Sequence, residues 1–442
     1  MFFLSKIGQI PRLISFLILY LLITKETLDK LIFLFVIIVF SCLIIKFFYK
    51  SKRKTIILTS LSLIIFLPLG LPSEIQKIFL PSGYKYISIS MISSLIFYLF
   101  NKDYYKSSIK NLIVNFSSAL FAPGTYISGP SASAQDIIKK DLNHPKKIDY
   151  AKSLKLIING CFGISIGYLI ANQNFNLSYF LNNSQNIYSI SLKIFCYGFV
   201  NFWNYYLLFS GASDICKGSL SLLDIEVIDN FSNPEQSVYY HEIWSRWHLN
   251  ITDRVRKYLY TPITLFVLRR SSKLNKYLAF IYVEGLPICA LFLILAIWHG
   301  SRPRDYLFAL SSIFLTLLSN ALIRYSKINN FVKNFNYLKE SIRVLSLTIF
   351  GLTLGIYSFK NSGIENIVSE NNQDINLYIF YIFTILVNIF YRYKFYLPKY
   401  LEINKENLKQ NLIMLLQVFS ILFINLFLVK DNLEPSNFIY FS

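Results

Sequence analysis

Charge is scarce in this chain: Asp, Glu, Lys and Arg together make up 15% of its 442 residues, against roughly a quarter in a water-soluble protein. That scarcity excludes an ordinary soluble fold. With 54% of residues hydrophobic and 17% aromatic, the apolar side chains cannot all be hidden in ordinary cores. Cysteine is sparse too. Four of the five, Cys42, Cys161, Cys196 and Cys289, lie within apolar runs, which argues against a disulfide framework and for small core hydrophobes. Histidine is rarer still, at four residues. His241 and His248 lie about two helical turns apart with no acidic or cysteine set beside them, so no metal site is expected. No internal repeat, low-complexity tract or separate soluble domain interrupts the chain.

What the chain has is grease and an excess of cations. Forty-four basic residues against 24 acidic ones give a net charge of +20. In an apolar chain this reads as loops on the positive side of a membrane, beside anionic headgroups, rather than as nucleic-acid binding. A spanning helix needs about 20 mostly apolar residues. Candidates fall at 10–24, 31–49, 55–72, 86–101, 109–122, 154–172, 187–209, 277–298, 306–324, 343–359, 376–394 and 410–429. About ten to twelve membrane elements are therefore expected. Those at 10–24, 86–101 and 109–122 are short enough to be re-entrant or buried within a bundle. The first resembles a signal peptide, but no small-residue cleavage site precedes Lys25 and Glu26, so it reads as a retained helix. Basic clusters at Lys46–Lys54, Lys139–Lys155 and Arg254–Lys276 are expected to face the cytoplasm, and arginines of the third are open to a second reading as contacts for an anionic donor such as a nucleotide phosphate or an acidic carrier protein.

The longest stretch without a clean span is 210–276. It opens on FSGASDICKG (Phe209 to Gly218), where small residues permit tight turns, and runs through the turn-rich DNFSNPEQS (Asp229 to Ser237). From about Val238 to Tyr258 the spacing of Trp244, Trp247, His248 and Ile251 predicts one interfacial helix. His144, in a basic loop, reads as solvated, and His241 as structural.

His299 stands apart. It ends the apolar run Leu286 to Trp298, and an ionisable group near membrane depth is a functional candidate. By itself it is better explained by a hydrogen bond at the interface. Glu284, Gly285 and Pro287 earlier in that helix suggest a break lining a cavity. If Arg254–Lys276 faces the cytoplasm, a helical rise of roughly 20 Å from Leu286 puts His299 deep in the bilayer or near its far side. That placement suits an enzyme joining a cytosolic donor to an acceptor across the membrane.

At these residues the chain resembles the membrane-bound O-acyltransferase (MBOAT) family, in the branch of the alginate O-acetylases and the D-alanyl transferases of teichoic acid. RWHLNITDRVRKYLYTP (Arg246 to Pro262) is similar to the family's RWH-x-S-[LT]-x-x-W-[LF]-R-D-Y-[LV]-Y block, and AIWHG (Ala296 to Gly300) to its GLWHG. FAPGTYISGPSAS (Phe121 to Ser133), FSGASDICKG, DNFSNP and the final NFIYFS resemble further family segments. The ordered matches run from about 121 to 310. Arg254 and Lys257 stand where the family block has Trp and Asp, and RPRDYLFALSS replaces the usual W-x-F-x-x-WG after His299.

The resemblance implies acyl transfer, with His299 as general base on an acceptor hydroxyl and His248 orienting a substrate or stabilising the oxyanion. Trp247, Trp298, Arg246, Asp214, Asn230 and Arg256 become candidates to bind substrate or line a tunnel. The donor is expected to be an acyl-CoA or acyl-carrier-protein thioester, with no tightly bound cofactor, no metal and no nucleic acid. The acceptor is expected to be a cell-envelope or extracellular polysaccharide, reached directly or through an extracytoplasmic partner transferase. Acetyl is the expected acyl group. D-Alanyl transfer to teichoic acid from a carrier protein is the alternative, and a non-enzymatic transporter or scaffold a further one. The expected fold is an all-α, polytopic integral membrane protein of the cytoplasmic (inner) membrane, with re-entrant or interfacial helices around a central tunnel. It would form one domain over 1–442: N-terminal helices at 1–120, a motif-bearing core at 121–310 and C-terminal helices at 311–442.

Overall fold

The computed structural model describes residues 8–358, except 49, 72–74, 77–79, 102–107, 127, 143–147, 172–186, 271–274, 326–331 and 333. The expected spans at 376–394 and 410–429, the NFIYFS tail and His144 therefore lie outside the described residues. Among the described residues the elements are helical, and the sole β-type pairing is a bridge between Phe231 and Trp247.

In chain order the helices are α1 (Gln9–Thr24), α2 (Leu28–Phe48), α3 (Lys54–Phe66, extended by a 3-10 turn at Leu67–Gly70), α4 (Tyr84–Phe100), α5 (Ile109–Leu120), α6 (Ala134–Leu142), α7 (Tyr150–Ala171) and α8 (Ile187–Leu222). There follow α9 (Tyr240–Trp244), α10 (Leu249–Val255), α11 (Thr261–Leu268), α12 (Lys276–Phe280), α13 (Leu286–His299), α14 (Pro303–Tyr325) and α15 (Asn336–Ser358). Two π turns, at Arg256–Tyr260 and Ile281–Gly285, join α10 to α11 and α12 to α13.

The chain divides into two compact units. One takes the described residues up to Ile157 together with Ala212–Ser346, and the other takes Ile158–Gly211 and the described chain from Leu347 onward. In the first unit α4 is the central post. Tyr86, Ile87, Met91, Leu95 and Tyr98 are all buried, and α2, α3, α5 and α6 pack around it. A helix apolar on all sides is stable only when covered on all sides, and this short one spends its length inside protein. The sequence expectation of a bundle-buried segment at 86–101 is met there.

Among the described residues three helices are long and apolar enough to cross a membrane: Leu28–Phe48, Tyr277–His299 and Pro303–Tyr325. Their outward faces carry Phe35, Val36, Phe40, Leu293, Leu310 and Phe314 in the open, an arrangement unstable in water and suited to hydrocarbon. The all-α membrane architecture expected from composition is thus observed.

Three local expectations are corrected. FSGASDICKG is not a turn: α8 runs unbroken through it to Leu222. Its small residues serve close packing instead. A Cβ on Gly211 would meet the Gly160 carbonyl at 2.6 Å, and one on Gly218 the Ser153 carbonyl at 2.8 Å. Val238 to Tyr258 is not one helix but two short ones, α9 and α10, parted at His248. Nor does the helix break at Glu284, Gly285 and Pro287. It widens into a π turn and continues, and the Glu284 carboxylate is held by Arg324 and by Asn320 Nδ2 at 3.2 Å.

The second unit is held by Ile166, Ile170, Val200 and Leu207, from α7 and α8. The backbones of Gly198 and Gly351 touch there, which leaves no room for a Cβ on Gly351.

Candidate active site

Between α5 and α6 the chain passes through the interior of the first unit without helical bonding. Ala122–Tyr126 and Ser128–Ser133 are buried. Buried backbone amides and carbonyls must be paired, so neighbouring side chains supply what a helix would have supplied. Ser90 Oγ donates to Ala132 O (2.6 Å), Ala132 N to Thr125 Oγ1 (3.1 Å) and Ala134 N to Ser94 Oγ (2.9 Å). Ser131 is gripped from α10. Its N and Oγ donate to Asn250 Oδ1 at 3.2 and 2.8 Å, and its carbonyl accepts from Asn250 Nδ2 (3.3 Å) and Arg254 Nη2 (2.9 Å). Arg254 also donates to Ser93 on α4. The arginine that departs from the family block therefore ties the buried loop to α4 and α10.

The same loop supports the residues around His248. Gly129 sits beside Tyr86 and Asn230, where a Cβ would approach the Tyr86 ring to 3.2 Å. Its φ of +71° is one that L side chains rarely adopt. Asn230 is buried. Its Nδ2 donates to Ser213 Oγ (2.8 Å), which turns Oδ1 toward His248 Nδ1 at 3.3 Å, while its carbonyl accepts from Leu249 N (2.8 Å). With Nδ1–H donating to that carbonyl-type oxygen, Nε2 is left as the basic nitrogen.

His248 itself adopts φ +53°, ψ +45°, a left-handed conformation that costs a non-glycine residue about 1–2 kcal/mol. Three links hold it there: Leu249 to Asn230, the Phe231–Trp247 bridge and Ser232 N donating to Arg246 O at 3.0 Å. His248 lies outside the three candidate spans, and burial lowers its pKa to about 3, so the ring is neutral near pH 7.

Trp298 connects the two histidines. Its indole Nε1 donates to Lys85 O (2.8 Å), and its ring stands edge-on to Tyr86 with centroids 5.3 Å apart. His248 packs on the same indole at 5.9 Å and His299 at 4.6 Å, while Tyr86 closes on His248 at 6.1 Å. His299 lies within electrostatic reach of His248, Lys85 and Arg302. It ends α13 at Gly300, whose φ is +123°, and its carbonyl accepts from Arg302 Nη2 at 3.3 Å. Asp305, wholly buried, fixes Arg302 through its Nε (3.0 Å) and backbone N (2.9 Å). Two imidazoles from segments 51 positions apart thus share one aromatic partner.

Of the residues expected from sequence, His248, His299, Trp298 and Asn230 meet in this cluster. The others take different places. Trp247 is buried edge-on to Phe231 at 5.0 Å and braces the turn before His248. Arg246 Nη1 donates to Ser232 O (3.1 Å). Arg256 is exposed and paired with Asp253 at 2.8 Å. Asp214 is half-buried on α8, next to Ser213, and it is Ser213 that holds Asn230. His241, read as structural, lies 3.0 Å from Ser319 Oγ. Among the described residues no group of His, Cys, Asp and Glu could hold a metal ion.

Sequence reasoning missed Lys85, Tyr86 and Ser213. A lysine at the start of an apolar run was a usable signal for the first two. Ser213 was hidden inside a segment read as a turn.

Residues 169–359, which include both histidines, match MBOAT, the membrane-bound O-acyltransferase family. The chain is also similar to the teichoic acid D-alanyltransferase of Bacillus subtilis (strain 168), with 22% identity over 245 residues, 54% of this chain and 59% of that protein. The chain thus spans less than two thirds of that relative's length. Both similarities support the membrane-bound O-acyltransferase family.

Proposed function

We propose that the protein is a membrane-bound O-acyltransferase, moving an acyl group from a cytosolic thioester to a hydroxyl of a cell-envelope or extracellular polysaccharide. The observation that carries this reading is the pair of histidines, His248 and His299, packed on the one indole of Trp298. The family match across both residues agrees with it.

In this mechanism His299 takes the proton from the acceptor hydroxyl as its oxygen attacks the thioester carbonyl. A tetrahedral oxyanion forms, with His248 positioned by Asn230 to orient it or the attacking group. Collapse breaks the carbon–sulfur bond, and the thiolate leaves with the proton held by His299. Ester and free thiol are the products. Trp298 and Tyr86 hold the two rings in register. The protein would be a multi-pass resident of the cytoplasmic membrane, with an acyl-CoA or an acyl-carrier protein as donor. The acceptor would be met directly or through an extracytoplasmic partner transferase.

Acetyl is the acyl group suggested by the alginate O-acetylase-like motifs. D-Alanyl transfer to teichoic acid from a carrier protein is the second reading, favoured by the Bacillus subtilis relative. Feeding membranes radiolabelled acetyl-CoA or carrier-bound D-alanine in parallel distinguishes them. The donor whose label reaches the envelope fraction identifies the reaction, and label from neither donor contradicts both.

A further inference from the structure

The helix α9, Tyr240–Trp244, is too short to be held by its own hydrogen bonds. Its side chains hold it. Glu242 Oε2 accepts from Val238 N at 2.8 Å and fastens the first turn, and Tyr240 and Ile243 are buried on one face. His241 and Trp244, three positions apart on the neighbouring face, meet the α13–α14 hairpin. His241 Nδ1 lies 3.0 Å from Ser319 Oγ of α14. Trp244 stands edge-on to Phe292 of α13 at 4.9 Å and to Phe308 of α14 at 5.9 Å. Phe308 and Ser319 are 11 positions apart, about three turns, so they share one face of α14. The short helix is therefore pinned to that face at two heights, and its tryptophan touches both limbs of the hairpin.

Both histidines of the site lie a short, stiff distance from these contacts. Ser245, Arg246 and Trp247 alone separate Trp244 from His248, and each is bonded in place. Ser245 N donates to Glu242 O at 3.1 Å and Arg246 N to Ile243 O at 2.9 Å, while Trp247 pairs with Phe231. A displacement of α9 is thus passed on to His248. Phe292 precedes His299 by about two turns of the same unbroken α13, so a displacement there is passed on to His299. The imidazoles already meet on Trp298. Trp244 joins the same two segments a second time, behind the rings. One contact between two bodies leaves rotation about it free, and a second removes it.

We infer that His241 and Trp244 are positioning residues of the acyl transfer: by pinning α9 to the hairpin they set the separation and angle between His248 and His299. The inference rests on the acyl-transfer reading for its kinetic consequence, but not for the coupling of the two rings.

The test uses the full chain in lipid bilayers, with isotopically labelled histidine read by solid-state NMR. The sequence has four histidines, and His248→Gln and His299→Ala assign the two ring signals of interest. Acyl-transfer kinetics and thermal unfolding are measured on the same preparations. Trp244→Leu is expected to move the ring signals of both His248 and His299. It should lower kcat by about ten- to a hundredfold, with the donor and acceptor KM changing less than about twofold. Trp244→Phe should recover most of that kcat. The pair at the other end of α9 gives the same answer if Trp244→Leu fails to fold. His241→Leu and Ser319→Ala should each lower kcat several-fold, about threefold or more, and the double variant no further than the worse single. His241→Asn, which keeps a hydrogen-bonding group near the place of Nδ1, should restore the wild-type value. A lowered unfolding midpoint with both ring signals and the kcat of the folded protein unchanged would mark a merely structural role and overturn the inference. Multiplying losses in the His241→Leu/Ser319→Ala double variant would do the same. Ring signals that move as described, in a protein whose wild type transfers no acyl group from any donor, sink the acyl-transfer reading and leave the coupling standing. His299-dependent transfer that Trp244→Leu and His241→Leu leave at the wild-type rate, with unmoved signals, does the reverse.

Discussion

His248 and Asn230 are joined twice. The imidazole Nδ1 lies 3.3 Å from Asn230 Oδ1, and the amide of Leu249, next in the chain, donates to Asn230 O at 2.8 Å. Asn230 thereby sets both the ring and the left-handed backbone that aims it. Asn230→Ala keeps neither the amide nor the link to Ser213. It is expected to lower kcat/KM by about 10- to 100-fold, as misplacing a catalytic group by around 1 Å does. Steady-state acyl-transfer kinetics on purified protein check this. A variant with wild-type kinetics would show that His248 needs no such support.

Trp298 makes a second separable contribution. Trp298→Phe keeps an aromatic face against His248 and His299 but removes the donor to Lys85 O (2.8 Å). The loss is expected to be modest, about tenfold in kcat, with Trp298→Ala falling much further because both rings lose their shared wall. Comparing the two substitutions in one assay separates the hydrogen bond from the packing.

Arg254 was open to being read from sequence as a contact for an anionic donor. In the structure it is a tie between Ser131 O, at 2.9 Å, and Ser93. Arg254→Ala leaves buried polar groups short of a donor and is expected to cost about 1–3 kcal/mol of stability. Thermal unfolding in detergent should show this as a lowered midpoint, with the donor KM little changed. A raised donor KM at unchanged stability would restore the donor-contact reading.

Burial holds His248 neutral, with a folded pKa of about 3, against about 6.5 for an unperturbed histidine. Between those values the unfolded chain binds the extra proton and the folded one does not. Stability therefore falls as pH drops below about 6.5, by about 1.4 kcal/mol per pH unit from this group once well below it. Unfolding midpoints measured from pH 7 to pH 4.5 should decline in the wild type and decline less steeply in His248→Gln. Identical slopes would indicate a solvated ring.

Much of this was legible in the chain because hydropathy is a coarse, local signal. The run ending at Trp298 and His299 declares a spanning helix by composition alone, and the segment from 86 to 101 is short enough to be re-entrant or buried within a bundle, of which the structure shows the second. What escaped was set by partners distant along the chain. Glycine and serine in FSGASDICKG have the composition of a turn, yet they serve a helix pressed against α7, with room at Gly211 for a hydrogen and no more. The apolar spacing around Trp247 mimics one helix, because periodicity does not register that Trp247 pairs with Phe231 and forces His248 left-handed. Lys85 and Tyr86 lie more than 160 positions before His248, and only the packing of α4 at the centre of its unit brings them to the cluster.

The central claim is that His299 moves the proton of the acceptor hydroxyl. The direct measurement supplies radiolabelled acyl donor to membranes bearing the wild type or His299→Ala at matched protein levels, and follows label into wall, polysaccharide and lipid fractions. The account predicts label in an envelope fraction with the wild type and a loss of at least about a hundredfold with His299→Ala. Equal labelling of every fraction by the two proteins would contradict it.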